Sequence, residues 1–152
     1  MFDITLITIG KLKEKFYLSA AEEYTKRLKG YCRFQLLELP EHRLPDAPSA
    51  AEISAGLEKE AELIVSKIPK GAWFCVFTPE GKTLSSEGFA EKLASVKNSG
   101  KSCACFLIGS SFGMAAKIKA MADLKLSMSK MTFPHHLARV MLLEQVYRAF
   151  KI

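Results

Sequence analysis

The residues best suited to chemistry lie in the last third of the chain, beginning with a glycine turn. Gly109 and Gly113 follow the apolar run Cys103–Ile108, which predicts a buried strand, and a short helix is predicted after the turn. A glycine turn between a strand and a helix presents free backbone N–H groups, which suit an anionic or nucleotide-like ligand. The full Gly-x-Gly-x-x-Gly fingerprint is absent, so the two glycines indicate only this general class of ligand.

Two histidines and an arginine begin the closing helix. His135 and His136 are adjacent, so they point apart on a helix, and no carboxylate cluster accompanies them; we favour capping or substrate contact over metal binding. Arg139 lies among apolar neighbours, about 140° around the helix from Glu144. A buried arginine needs a partner, which is either a structural carboxylate or a phosphate or base of a substrate. We favour the substrate.

The predicted strands and helices place several loops at one edge of a sheet. Apolar runs predict strands at residues 3–9, 34–39, 73–77, 103–108 and 124–128, with helical patterns between them. Such alternation is typical of an α/β fold with a largely parallel sheet flanked by helices, in which ligands bind outside the carboxyl ends of the strands. If the last three strands are neighbours, loops 78–82, 109–113 and 129–135 form one pocket.

Composition and charge predict a single domain spanning residues 1–152, with nucleic acid as the default partner. The net charge is +6, and all of the excess falls after residue 100, where eight Lys and Arg residues stand against two acidic ones. No apolar run reaches the roughly 18–20 residues that span a bilayer. No cleavable signal pattern is present at the N-terminus, so we expect a cytoplasmic protein with no membrane partner.

The four cysteines are predicted to be reduced core residues. Cys32, Cys75, Cys103 and Cys105 lie in strand-like runs and show no Cys-x-x-Cys spacing. We therefore expect neither a disulfide nor a metal site.

Two helices show informative apolar patterns. Phe16, Ala20, Tyr24 and Leu28 recur every four residues and predict the buried face of the first helix. The closing helix is apolar almost all round, which predicts burial on two sides, one against its own sheet and the other at a subunit interface.

The segment 40–48 holds three prolines and is polar, so it is predicted to be a surface loop in preference to a mobile flap over a ligand. Ser49 and Glu52 follow it with the spacing of a capping box, which predicts the start of the second helix.

Several motifs carry a resemblance to a known family. They are Leu107-Ile108-Gly109, the run Ser-Lys-Met-Thr-Phe-Pro-His at 129–135, Arg139-Val140, and Glu144-Gln145-x-Tyr147-Arg148-Ala149. In these motifs the chain closely resembles the ribosomal large-subunit methyltransferase H family, which are small members of the SPOUT methyltransferases. The resemblance covers essentially the whole chain.

The resemblance implies a fold, a cofactor and a reaction. The implied fold is a SPOUT-type α/β knot with a C-terminal trefoil knot, an exception to the general absence of knots. The implied assembly is an obligate homodimer, and the implied methyl donor is S-adenosyl-L-methionine. The expected reaction is methylation of N3 of a pseudouridine (position 1915, helix 69) in 23S rRNA of the assembled ribosome.

The resemblance also assigns site residues by motif. It places around the donor Phe77, Gly109, Met128, Ser129, Lys130, Met131, Thr132 and Phe133. On the substrate side, Arg139 is expected to hold the rRNA or to offset the charge that develops at N3. His135 is a further candidate, as acceptor of the N3 proton.

Two departures from the family pattern leave alternatives open. Ser110 stands where family members commonly have a second glycine, and its side chain is expected to cap the following helix. The family usually continues with a tail containing Pro-Tyr-His, which supplies substrate-side residues, whereas the sequence given ends at Ile152. The alternatives are a SPOUT methyltransferase for another RNA nucleotide, and a donor-binding, ribosome-associated module without catalysis.

Overall fold

Five parallel strands form the centre of the molecule, which the computed structural model describes from Met1 to Ile152. In chain order the elements are β1 (Asp3–Ile9), α1 (Lys15–Leu28), β2 (Arg33–Leu39), α2 (Ala50–Lys67), β3 (Trp73–Thr83), α3 (Ser86–Asn98), β4 (Cys103–Ile108), α4 (Ala116–Met121), β5 (Leu124–Ser127) and α5 (His135–Lys151). The strand order is β2-β1-β4-β3-β5, and every pairing is parallel. The predicted α/β class and parallel sheet are confirmed.

Helices cover both faces of the sheet, so its central strands are apolar on both sides. In β4 all six residues are buried. Phe106 packs toward α1, α3 and α5, whereas Leu107 packs toward α2 and α4. A strand buried on both faces reads as a continuous apolar run, which is why β4 was recognisable from its sequence.

The first helix packs with a face that matches the predicted one at Tyr24 and Leu28 but not at Phe16. Phe16 is 67% exposed, so its expected place in the core is wrong, and the side chains that pack inward are those of Tyr17, Ala21, Tyr24 and Leu28. A strict four-residue spacing drifts by about 40° per step around an α-helix, because four residues exceed one turn of 3.6. The observed spacing of four, three and four residues stays on one face, against α5.

The second helix and the loop before it form as predicted. The Ser49 hydroxyl accepts a hydrogen bond from the Glu52 N–H (3.1 Å), and the Glu52 carboxylate accepts one from the Ser49 N–H (3.0 Å). Loop 40–48 lies against α2, where the His42 N–H donates to the buried Glu60 carboxylate (2.9 Å). These contacts agree with a packed surface loop.

The third strand is longer than its apolar run. Residues 78–82, predicted to be a loop, belong to β3, and Leu126 of β5 pairs with both Phe77 and Lys82. Residues 78–81 therefore bulge out of the ladder and then return to it, as extra residues in one strand do. Gly81 permits the return, because a Cβ there would lie 2.7 Å from the Leu126 carbonyl carbon.

All four cysteines are buried free thiols, as predicted. Burial raises the pKa of Cys32 to about 11 and that of Cys105 to about 12.

No helix combines the length and the apolar character needed to cross a membrane.

We expect Gly81→Ala to lower the free energy of unfolding by about 1–3 kcal/mol, because the added methyl group meets backbone that cannot move aside. Urea denaturation measures the change. Gly30→Ala is the matched control, since a Cβ there meets only the Arg27 carbonyl oxygen at an ordinary 3.7 Å. Equal stability of the two variants would show that the β3 bulge has room for a side chain.

Candidate functional site

One cavity of about 490 Å³ lies at the carboxyl edge of β3, β4 and β5. Residues 77–79 line one side, residues 108–114 a second side, and most of residues 127–135 a third. The volume falls in the range of small-molecule and cofactor sites. The predicted convergence of three strand-end segments into one pocket is therefore confirmed.

Most of the sequence-predicted site residues line this cavity together. They are Phe77, Gly109, Met128, Ser129, Met131, Thr132, Phe133 and His135. Lys130 belongs to the same loop, but its exposed side chain is not part of the lining. Arg139 is not part of it either.

The glycine turn is closed by its own backbone. The Ser110 N–H donates to the Gly113 carbonyl (3.1 Å), and the Gly113 N–H donates to the Ser110 carbonyl (2.9 Å). Gly113 has a φ of +91°, and a Cβ on Gly109 would collide with the Gly113 carbonyl oxygen, so both positions require glycine. The Ser110 hydroxyl accepts from the Phe112 N–H (3.3 Å) and caps the turn itself, so its predicted capping of the next helix is wrong.

The loop after β5 offers free backbone groups to the cavity. Residues 129–133 lie between β5 and α5, and none of the backbone–backbone hydrogen bonds of the turns and loops involves them. The loop is held by side chains instead: the Ser127 hydroxyl donates to the Ser129 carbonyl (2.9 Å), and the Ser129 hydroxyl accepts from the Met131 N–H (3.0 Å). Unused donors and acceptors beside apolar walls suit the edge of a planar heterocycle.

A buried hydroxyl at the cavity also lacks a partner. Thr78, at the start of the β3 bulge, is 5% exposed, and its Oγ1 makes no hydrogen bond. The segment 78–82 was predicted to border the pocket, but Thr78 was not singled out within it, because a single threonine at a strand end carries no distinctive signal. An orphaned hydroxyl that lines a cavity suits a ligand with a polar edge.

The electrostatics of the cavity disfavour a phosphate-rich ligand. Lys119 is the lysine in its lining, and its ammonium group already contacts the Glu80 carboxylate at 2.6 Å. This pairing holds the pKa of Glu80 down at about 2. Burial, together with the neighbouring His136 and Arg139, lowers the pKa of His135, which favours the neutral imidazole at neutral pH. The cavity is thus suited to a nucleoside with little net negative charge.

Arg139 occupies a buried ion pair. Its side chain is 1% exposed, its Nη1 donates to the Glu38 carboxylate (2.6 Å), and its Nη2 donates to the Gly10 carbonyl (3.0 Å). The predicted direct contact of Arg139 with substrate is therefore not what the structure favours, since the guanidinium is enclosed and bound to a carboxylate. Of the two alternatives open at the sequence level, the structural carboxylate is the one found.

The charge excess of the last third does not form a free basic surface. Lys117 pairs with Glu58, Lys119 with Glu80 and Arg139 with Glu38, and all three carboxylates come from the first 100 residues. Arg148 pairs with Glu144 within α5. In the folded protein, four of the eight Lys and Arg residues after position 100 are therefore paired with a carboxylate.

A second cavity of about 480 Å³ lies between α3, α5 and the sheet. It shares Phe77, Ser127 and Met128 with the first cavity, and α5 contributes Val140 and Met141 to its walls. The other flank of α5 packs on α1, and the Ser86 hydroxyl on α3 donates to Gln145 on α5 (2.7 Å). Part of the second buried side predicted for α5 is therefore covered by its own chain.

No cluster of three or more His, Cys, Asp or Glu side chains is arranged to hold a metal ion.

The fold and the cavity define an α/β protein with a ligand site where parallel strands end, and comparison with known proteins gives the family. The family model described as predicted SPOUT methyltransferase matches residues 2–152. The chain belongs to the SPOUT methyltransferase family.

Particular relatives are similar over nearly the whole chain. The ribosomal RNA large subunit methyltransferase H of Clostridium botulinum (strain 657) is 43% identical over 150 residues, which cover 99% of this chain and 94% of that protein. A relative from Methanococcus maripaludis (strain C5) is 44% identical with the same coverage. The crystal structure of the tRNA (m1G37) methyltransferase from Aquifex aeolicus shares the fold, with a TM-score of 0.57 and 12% identity over 95% of this chain and 69% of that one.

We expect Arg139→Met to lower the free energy of unfolding by about 3 kcal/mol, because it leaves Glu38 without its cation. Arg148→Met on the same helix is the matched control, since it breaks an exposed ion pair and should leave the free energy of unfolding nearly unchanged. Urea denaturation compares the two. If both variants are as stable as the parent protein, Arg139 is free for a role outside the fold.

Proposed function

We propose that this protein transfers a methyl group from S-adenosyl-L-methionine to N3 of a pseudouridine in helix 69 of 23S rRNA, on the assembled ribosome. The observation that carries the proposal is the convergence of three strand-end segments on one cavity in a chain of the SPOUT methyltransferase family. The similarity to proteins named ribosomal RNA large subunit methyltransferase H supports the choice of rRNA.

The size and the lining of the cavity support S-adenosyl-L-methionine as the donor. Gly109 lets backbone approach where a Cβ would collide, and the Thr78 Oγ1 offers an unused polar atom. The free backbone groups of residues 129–133 suit the adenine edge, and Phe77 and Met128 supply apolar walls. When bound, the donor supplies an electrophilic methyl group. Positioning the acceptor nitrogen in line with that group is the main task left to the protein.

His135 is the proposed acceptor of the N3 proton. As the new N–C bond forms, the N3–H bond must break and its proton must leave. His135 lines the cavity, and its lowered pKa keeps the ring neutral and able to accept a proton at neutral pH. In this proposal Arg139 acts indirectly, by fixing the start of α5 on which His135 lies.

A homodimer and a C-terminal trefoil knot are parts of the same proposal. The half-exposed Val140 and Met141 line an apolar cavity on α5, which a second copy of the chain would cover. Covering apolar surface of this kind is the usual driving force for obligate assembly.

The proposal is tested by incubating the protein with tritiated donor and ribosomes that lack the modification, followed by nucleoside analysis of 23S rRNA. We expect label in 3-methylpseudouridine, and we expect Gly109→Ala to lose donor binding and transfer because its Cβ fills the turn. Gly30→Ala is the control and should retain both.

Other outcomes contradict the proposal in distinct ways. Label in another rRNA nucleotide or in tRNA would show a SPOUT methyltransferase with a different substrate. Tight donor binding without transfer to any RNA would support a binding module without catalysis.

We expect the kcat of the parent protein to fall as the pH drops through the pKa of His135, because protonation removes the acceptor. Since that pKa is lowered, the acid limb should lie below about pH 6.5. His135→Asn should abolish the limb and reduce kcat about 100-fold. His136→Asn is the control for the adjacent ring, and an unchanged limb in His135→Asn would exclude the role.

A further inference from the structure

The segment from Lys11 to Tyr17, at the start of α1, carries charges that the rest of the molecule leaves unneutralised. Lys11, Lys13 and Lys15 are exposed, and none of them forms an ion pair. The one acidic residue among them, Glu14, lies 3.7 Å from Nδ1 of His136. This contrasts with the last third of the chain, where half of the cations are paired.

The same segment exposes an aromatic side chain. Phe16 is 67% exposed, and its ring contacts that of Tyr17, with centroids 4.4 Å apart. The Tyr17 ring meets His136 edge-on at 6.2 Å, and His136 meets His135 at 4.2 Å. Because His135 lines the cavity, a continuous row of rings runs from Phe16 to the cavity wall.

The segment is fixed in place by buried contacts. Leu12 is buried between two exposed lysines, and its N–H contacts the Glu38 carboxylate at 3.4 Å. The same carboxylate binds Arg139, whose guanidinium also holds the Gly10 carbonyl. One buried ion pair therefore sets both this segment and the start of α5.

We propose that the segment Lys11–Tyr17 is a docking surface for single-stranded or loop RNA, in which Lys11, Lys13 and Lys15 contact phosphates and Phe16 stacks on an unpaired base. Three exposed lysines followed directly by an exposed aromatic ring provide the two interactions that unpaired RNA offers, namely phosphate contact and base stacking. A second copy fits less well, because a symmetric contact centred on Phe16 brings like charges together.

This inference rests on the proposed function, because it takes the RNA substrate as given. It predicts the path of the bound RNA over the protein surface. The strand or loop crosses the start of α1 and reaches the cavity past His135 and His136. The surface binds the RNA next to the target nucleotide, so it contributes to RNA affinity and not to methyl transfer itself.

The test uses two segment variants: a triple variant that combines Lys11→Gln, Lys13→Gln and Lys15→Gln, and the single variant Phe16→Ser. Both are compared with the parent protein. The charge-matched control replaces Lys59, Lys67 and Lys70 with glutamine, since these exposed lysines around α2 are also unpaired. Ribosome KM, kcat, donor affinity and oligomeric state are measured for each.

We expect the KM for ribosomes to rise about tenfold or more in both segment variants, with kcat, donor affinity and oligomeric state unchanged. The slope of log affinity against log salt should fall by about 2 in the triple variant, because three phosphate contacts are lost. The control triple variant should leave the KM within about twofold.

A KM in the segment variants equal to that of the control would overturn the inference while leaving the proposed function intact. A change of oligomeric state in Phe16→Ser would also overturn it, since the segment would then be an interface between copies. Binding of a fluorescent RNA hairpin with an unpaired loop is measured in parallel. If the parent protein methylates no ribosomes, loss of hairpin binding in the segment variants alone still supports the surface, and equal binding rejects it.

Discussion

The buried ion pair between Arg139 and Glu38 connects the parts of the molecule that must meet at the site. Arg139 belongs to the first turns of α5, Glu38 to β2, and the Gly10 carbonyl to the end of β1. A charged pair in the interior is costly unless its hydrogen bonds are made. In Arg139 both Nη atoms have partners, whereas the buried Nε has none. The pair joins the first turns of α5, which begin with the two histidines, to the ends of β1 and β2.

The fold was largely predictable because its signals are local. The continuous apolar runs of β3 and β4, the Ser49–Glu52 capping box and the strand–helix alternation each follow from neighbouring residues. The buried face of α1 was misassigned at Phe16, because a four-residue repeat is only an approximation to the helical period. The β3 bulge was missed, because Leu126, which pairs at both ends of it, is distant in sequence.

The location of the site was predictable from the sequence, whereas the roles of individual residues such as Arg139 were less so. Parallel strands place their carboxyl ends at one edge, so the convergence of three segments followed from topology once the strands were recognised. The partner of Arg139 lies 101 residues away, and no local pattern distinguishes a buried carboxylate from a bound phosphate. For the same reason the count of basic residues after position 100 overstated the free positive charge, since three of those cations pair with distant carboxylates.

The burial of all four cysteines has a practical consequence for studying the molecule in solution. Cys32, Cys75, Cys103 and Cys105 are enclosed by the core, and burial raises the pKa of each thiol. Reaction with an alkylating reagent requires both access and a thiolate, so it must wait for the chain to open. The alkylation rates of these four native cysteines therefore report how often the regions around β2, β3 and β4 unfold locally.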